Sequence, residues 1–496
     1  MIRAAAILLC CQIAWAGGAI RLKSRTIDPG REDRASADGA GGRYLMVRFA
    51  AEPGPEVRWE LALRGFRILS YVPEATLMLE APSGGGDLWG LGVVWAGAMN
   101  GADKISPLLA GQADGLVLVE FHPGVEGQTA RAIAAQHGFA VHEIAGLLPG
   151  HLVLGGDRRG LADLAGHPEV AYILPAAPGL AGRRAVYGCP GPITGAGPVA
   201  DYALADNGWS KDASGNVALQ YVFDSLTQKM DAGIARAQVE RAFTEWARYA
   251  NISFTPAVAS AARTIEIQFV TGAHGDAYPF TSITTLAHTF YPAPVNPEPI
   301  AGDVHFNDAE TWGVGMNIDL FSVALHEIGH ALGLGHSDQP SAVMYPYYKL
   351  STGLTADDIA AIQALYGPPS SGSTTHSSPP ATPTPTPSAP PSTPSTPSTP
   401  TPSGSDTTAP TIVIQSPSYS IVSTSNASIT VSGTASDNLA VASVKWSTSF
   451  GSTGIAVGTT SWSATIPLLI GTNTITLRAY DAAGNSGWRA LTVVRN

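Results

Sequence analysis

Residues 320–346, "LFSVALHEIGHALGLGHSDQPSAVMYP", most constrain what this chain can fold into. His326 and His330 stand four apart, about one helical turn, so both imidazoles leave one face and reach one point. Leu325, Ile328 and Leu332 fall on a different face and predict a helix held in a core. Asp319 is suited to cap its start. Gly333 suits the positive φ that ends a helix and turns the chain back, which returns His336 to the same point. Three imidazoles leave a fourth position open on a zinc ion, the layout of a catalytic centre and not of a closed structural one. Glu327 is not needed as a ligand and is placed to take a proton from water held by the ion.

The complete spacing, H-E-x-x-H-x-x-G-x-x-H followed by Met344, is the metzincin pattern. Ser337 follows the third histidine, "VMYP" contains Met344, and "HGDAYPF", "LAHTFYP" and "GDVHFNDAETW" stand upstream. Together these make residues 199–367 resemble the matrixins. The resemblance implies an α+β metzincin catalytic domain, a twisted mixed sheet plus an active-site helix. It implies zinc-dependent endopeptidase activity on polypeptide, with Glu327 as general base. It implies a second, structural zinc on His274, Asp276, His288 and His305. The two implied zinc sites would use all six histidines of residues 199–367. Met344 would form an apolar floor, and Pro346 and Tyr348 the wall of the pocket for the residue after the scissile bond. Residues 282–290 would be the edge strand beside the cleft, and 354–367 the closing helix. Asp303 and Glu310 match the family's calcium ligands, but Thr281 and Asn307 stand where aspartates are expected. Calcium prefers six to eight oxygens, so one calcium site is expected to be lost and the other stays open.

The N-terminus, "MIRAAAILLCCQIAWAGG", has one early positive charge, a short apolar run and a small-x-small site at Ala14-Trp15-Ala16. It reads as a signal peptide over 1–16, hence a secreted, extracellular protein. Residues 17–43 are Gly, Arg and Asp rich and read as flexible. Residues 44–184 show strand, helix, strand, turn, strand twice, which predicts a ferredoxin-like α+β propeptide. Its second half resembles the propeptide-type domains before bacterial subtilisin-like proteases; an unrelated α+β domain stays open beside that reading. Residues 368–408 are almost wholly Pro, Ser, Thr and Gly and read as a linker. Residues 409–496 carry short strands separated by turns and read as an Ig-like β-sandwich. They resemble bacterial Ig-like repeats attached to secreted enzymes, which implies a surface or polymer ligand. Asp481 and Asn485 read as turn formers, and Trp446, Trp462 and Trp488 as core or strand-face residues.

Net charge is −11 and no run of five or more Lys/Arg occurs, which argues against nucleic acid. No later stretch of about 18 apolar residues occurs, so no membrane span is expected. With Cys10 and Cys11 in the signal peptide, Cys189 has no intrachain partner. Such a cysteine is a bystander, an intermolecular link or a reactive thiol. Matrixins are kept latent by a propeptide cysteine on the zinc, in a P-R-C-G-x-P-D motif. Residues 187–192 here read Tyr-Gly-Cys-Pro-Gly-Pro, without the Arg and Asp, so latency switch and spectator thiol both stand for residues 185–198. A second reading of the whole is a zinc-braced extracellular binding or adhesion protein with vestigial proteolysis. The retained Glu327 argues against it.

Overall fold

The computed structural model describes residues 18–31, 43–111, 115–180, 182, 186–204, 208–276, 278–281, 285–316, 318–369, 408–417, 421–448, 453–469, 471–483 and 485–495. The expected signal peptide and nearly all of the expected linker lie outside them.

Residues 18–31 correct the expectation of a flexible segment. Ile20–Arg21 pairs antiparallel with Thr26–Ile27, and Leu22 bridges Ala203. The apolar residues at 20 and 22 share one side of an extended chain, and both are buried with Ile27. Two α+β units follow where one was expected. In the first, strands Tyr44–Phe49, Arg67–Val72, Thr76–Glu80 and Val93–Gly97 form one sheet against helix Pro55–Leu63. No helix forms over 82–92, because five glycines there remove helix propensity. The second unit completes the β-α-β-β-α-β order. Its sheet runs Val170–Pro175, Val117–Phe121, His151–Gly155, Ala140–His142, all antiparallel.

The next unit is a mixed α/β domain. Its sheet contains β1 (Val217–Phe223), β2 (Ile252–Pro256), β3 (Thr264–Val270), β4 (Ala287–Thr289) and β5 (Val304–Asn307). The order is β2-β1-β3-β5-β4, parallel except for β4 against β5. Helix α1 (Ala232–Ala247) is capped by the Asp231 carboxylate, which accepts from the Ile234 amide at 3.0 Å. It buries Val239, Phe243 and Trp246 on one face, as their spacing predicts. Helix α2 (Leu320–Ala331) is buried along all 12 residues and capped by Asp319. Trp246 donates its indole N–H to the Leu325 carbonyl at 2.8 Å, locking α1 to α2. A Cβ at Gly329 would strike the sulfur of Met344, so only glycine lets the helix settle on that floor. Helix α3 (Ala356–Tyr366) carries Asp358 in its first turn, and that carboxylate accepts from the amides of Val343 and Met344. That contact fixes the loop under α2.

The C-terminal region is all strand. One sheet joins Thr411–Ser416, Ser428–Ser436 and Ser461–Pro467. The other joins Ile421–Thr424, Ser486–Arg495, Gly471–Asp481, Val441–Thr448 and Thr453–Ile455. Ile412, Val431, Val444, Trp462, Ile475 and Leu491 fill the core between strands. Among the described residues, no helix is long and apolar enough to cross a membrane.

Candidate metal centres

Two clusters of metal-type side chains occur among the described residues. The first gathers His326, His330 and His336 with Cys189, all buried. Helix α2 supplies two imidazoles. Gly333, at φ 97°, turns the chain so that His336 returns beside them. The ring centroids lie 4.6, 5.4 and 5.0 Å apart. Each Nδ1 has an acceptor: the Val343 carbonyl at 2.8 Å for His326, the Leu334 carbonyl at 2.8 Å for His330, and Asp201 at 3.0 Å for His336. An Nδ1–H that donates leaves Nε2 as a lone pair, and ligand histidines are usually held this way. The Nε2 atoms of His326 and His336 are buried with no hydrogen-bond partner. That of His330 meets only the Cys189 sulfur, at 3.5 Å. Converging lone pairs that lack donors fit a cation, and three nitrogens fit zinc. Burial lowers His326 to about 3, which keeps it neutral as a ligand must be.

Glu327 faces the same space from the next position on α2. Burial raises its pKa to about 7, opposed by the hydroxyl of Thr289, which donates to Oε2 at 2.6 Å. Thr289 was not among the residues singled out from the sequence. A period-two signal exists, because His288 faces the second cluster and Thr289 must face the other way. A pocket beside the cluster is lined by Leu286, Val323, His326, Val343, Pro346 and Tyr348. Met344 is 2% exposed beneath it.

The second cluster gathers His274, Asp276, His288 and His305. The antiparallel register of β4 and β5 sets His288 directly opposite His305. Asp276 Oδ2 lies 3.1, 2.8 and 2.9 Å from nitrogens of His274, His288 and His305. Ligands about 2.0–2.1 Å from a tetrahedral zinc lie roughly 3.3 Å apart, so the shell fits that ion. Burial opposes the charge of Asp276, but its contacts with the three histidines hold it well below the usual carboxylate range. The metal fit is checked by His288→Ala. It is expected to lower zinc from two per chain to one and to lower Tm by several degrees, since about 1 kcal/mol moves a domain of this size by roughly 2–4 °C.

Asp303 and Glu310 join neither cluster and do not meet each other in a third one. Asp303 accepts from the Glu266 amide at 2.9 Å, and the Glu310 carbonyl accepts from Lys229 at 2.8 Å. Asn307 uses its side chain on the Thr285 carbonyl and the Ala309 amide. Thr281 is exposed.

The sequence model of the matrixin family matches residues 208–367. Residues 208–367 are a matrixin domain. Residues 21–100 match a domain of unknown function, and residues 410–496 match glucodextranase, domain B. Matrix metalloproteinase-20 of Homo sapiens is 42% identical over 185 residues, 36% of this chain and 36% of that protein. Karilysin of Tannerella forsythia is 38% identical over 182 residues, 36% of this chain and 37% of that protein. Metalloendoproteinase 1-MMP of Arabidopsis thaliana is 40% identical over 175 residues, 32% of this chain and 44% of that protein. The alignments thus span only about a third of most of the curated relatives.

Residues from outside the matrixin domain reach its first cluster. Cys189 is buried, its sulfur accepts from the Gly191 amide at 3.4 Å, and burial and then the charge of Glu327 push its thiol pKa well up. The Cys189 amide donates to Pro346 and the Tyr348 amide to Tyr187, each at 2.9 Å. Lys23 donates to the His336 carbonyl at 2.9 Å and to Asp338 at 2.6 Å. Tyr172 donates to the other oxygen of Asp338 at 2.6 Å. Tyr345 and Tyr347 share a buried core with Met46, Leu118, Val153 and Tyr172.

Proposed function

We propose that this chain is the precursor of a secreted zinc endopeptidase, with the matrixin domain as its catalytic unit. The observation that carries the reading is the set of three converging Nε2 lone pairs beside a buried Glu327 carboxylate. Zinc bound there would act as a Lewis acid on the scissile carbonyl and lower the pKa of a water. The chain's own groups do the rest. Thr289 orients Glu327 by its hydroxyl; once Cys189 is displaced, the carboxylate takes the water proton and later hands it to the leaving amine. Strand β4 lies at the edge of the sheet, where an extended substrate adds as an antiparallel strand. The pocket bounded by Pro346 and Tyr348 receives the apolar side chain after the scissile bond. A binding or adhesion protein has no need of a carboxylate held at Glu327, so that alternative has less support.

Residues 44–184 act as the propeptide in this reading, the second unit being ferredoxin-like by its strand order. Cys189 is the latency switch, its sulfur facing the three imidazoles. Gly188 pairs antiparallel with Tyr347, and Ile193 pairs parallel with Phe290, just past β4. The segment therefore runs against the direction of a substrate and fills the groove without offering a bond for cleavage. Residues 409–496 are an Ig-like sandwich. Asn485 donates to Asp481 within a turn, as their types suggest.

The test is metal removal. The processed protein, stripped of zinc by a chelator, is expected to cleave no peptide and to regain cleavage when zinc is restored. Cleavage that persists in zinc-free protein rejects the assignment.

A further inference from the structure

The strand Gly471–Asp481 alternates: Ile475, Leu477 and Ala479 are buried in the C-terminal core, and Thr476 and Arg478 point out of it. Arg478 pairs in register with Trp488 on Ser486–Arg495, so Thr476, Arg478 and Trp488 share that outer face. An outward arginine is ordinarily solvated. This one has a side chain only 16% exposed, with Nη1 3.5 Å from Glu266 of the matrixin domain. Glu266 is 2% exposed and Asp303, beside it, 4%. Burial and the neighbouring Glu266 push Asp224 up to about 6; Arg478 opposes the shift. Trp488 hydrogen-bonds Asp224 and packs against Gly275, where any Cβ would collide with the indole. Thr476 donates to the Gly275 carbonyl at 3.0 Å. Gly275, at φ 115°, is the residue between His274 and Asp276.

We propose that the C-terminal sandwich docks in cis on the matrixin domain, with Arg478 on Glu266 and Trp488 on Asp224 and Gly275, and thereby braces the loop of the second metal centre. The charge pattern commits the occupant: buried carboxylates meet a guanidinium of this face, and the glycine meets an indole. A buried carboxylate needs a cation or donors, and here the sandwich supplies both. The brace rests on the reading of the second cluster as a zinc site; the docking does not.

The experiment places a site for a sequence-specific protease within residues 370–407 of the full chain. After cutting, the C-terminal fragment is expected to co-elute with the rest in gel filtration. Arg478→Glu and Trp488→Ala are each expected to weaken that association roughly thirtyfold or more, the range for truncating a buried charge pair or a central aromatic. Both side chains lie outside the sandwich core, and an unchanged melt of the fragment confirms that each variant folds. Separate elution of the wild-type fragments overturns the docking, as does undiminished co-elution of both variants. For the brace, the uncut Arg478→Glu chain is expected to lose its second zinc to a chelator about tenfold faster than wild type. Equal rates overturn the brace. A wild-type chain that holds one zinc overturns the second centre and the brace with it, while co-elution still decides the docking.

Discussion

Glu327→Ala is expected to slow peptide cleavage by about 10²–10⁴-fold, the range a general base supplies, with zinc content unchanged. The carboxylate is 2% exposed, and no imidazole of the first centre depends on it. Each Nδ1 is held instead by Val343, Leu334 or Asp201. Alanine favours helix, so α2 should persist. Glu327→Gln separates proton transfer from packing. It keeps the shape and the acceptor for Thr289, cannot take a proton, and is expected to lose as much activity as the alanine variant. Steady-state cleavage of a fluorogenic peptide, read beside metal analysis, checks both. Retained cleavage in either variant sinks the assignment of Glu327.

Cys189→Ser is expected to raise the peptide cleavage of the unprocessed chain about tenfold or more, a factor equal to about 1.4 kcal/mol of lost blocking contact. A hydroxyl is a far poorer zinc ligand than a thiolate. The rise should stop well short of the processed enzyme. The backbone of residues 187–189 stays paired with 346–348, and Lys23 still grips Asp338. That ion pair is mostly buried, with side chains 12% and 6% exposed. Adding Lys23→Ala should raise cleavage further, because it frees the loop that carries His336. The comparison needs the precursor, each variant and the processed form assayed side by side. Latency untouched by both changes would reject the switch.

Local features of this molecule were legible and distant ones were not. The i, i+4 histidines, the Asp319 cap and the positive φ of Gly333 are set by neighbours within a few residues, so spacing alone predicts them. The second cluster draws on three separate stretches and came from resemblance to a family, not from spacing. Lys23 and Asp338 are 315 residues apart, and Asp201 and His336 are 135 apart. A single lysine in an Arg- and Asp-rich segment carries no period and no motif. Of P-R-C-G-x-P-D the sequence keeps only the Cys and the second Pro, at 189 and 192. In the structure the loop after the third histidine is held by Lys23 and Tyr172, from two other places in the chain. The N-terminal hairpin was missed for a related reason. Two apolar residues of one face, Ile20 and Leu22, are too short a pattern to stand out from the charges around them.

Asp201 lies after Cys189 and before residue 208, where the matrixin match begins. If the chain is a precursor, as proposed, its carboxylate belongs to the stretch in which maturation would cut. A cut between 190 and 200 removes the thiol and leaves the aspartate on the enzyme. A cut after 201 carries the aspartate away with the propeptide, and His336 loses the acceptor that sets its tautomer. Outer partners of this kind are worth about 10–100-fold in metal affinity. Two processed forms that differ by a dozen residues would then share every ligand and hold their metal with different tenacity. The position of one peptide bond would then become a setting for how long the processed enzyme survives in a zinc-poor medium.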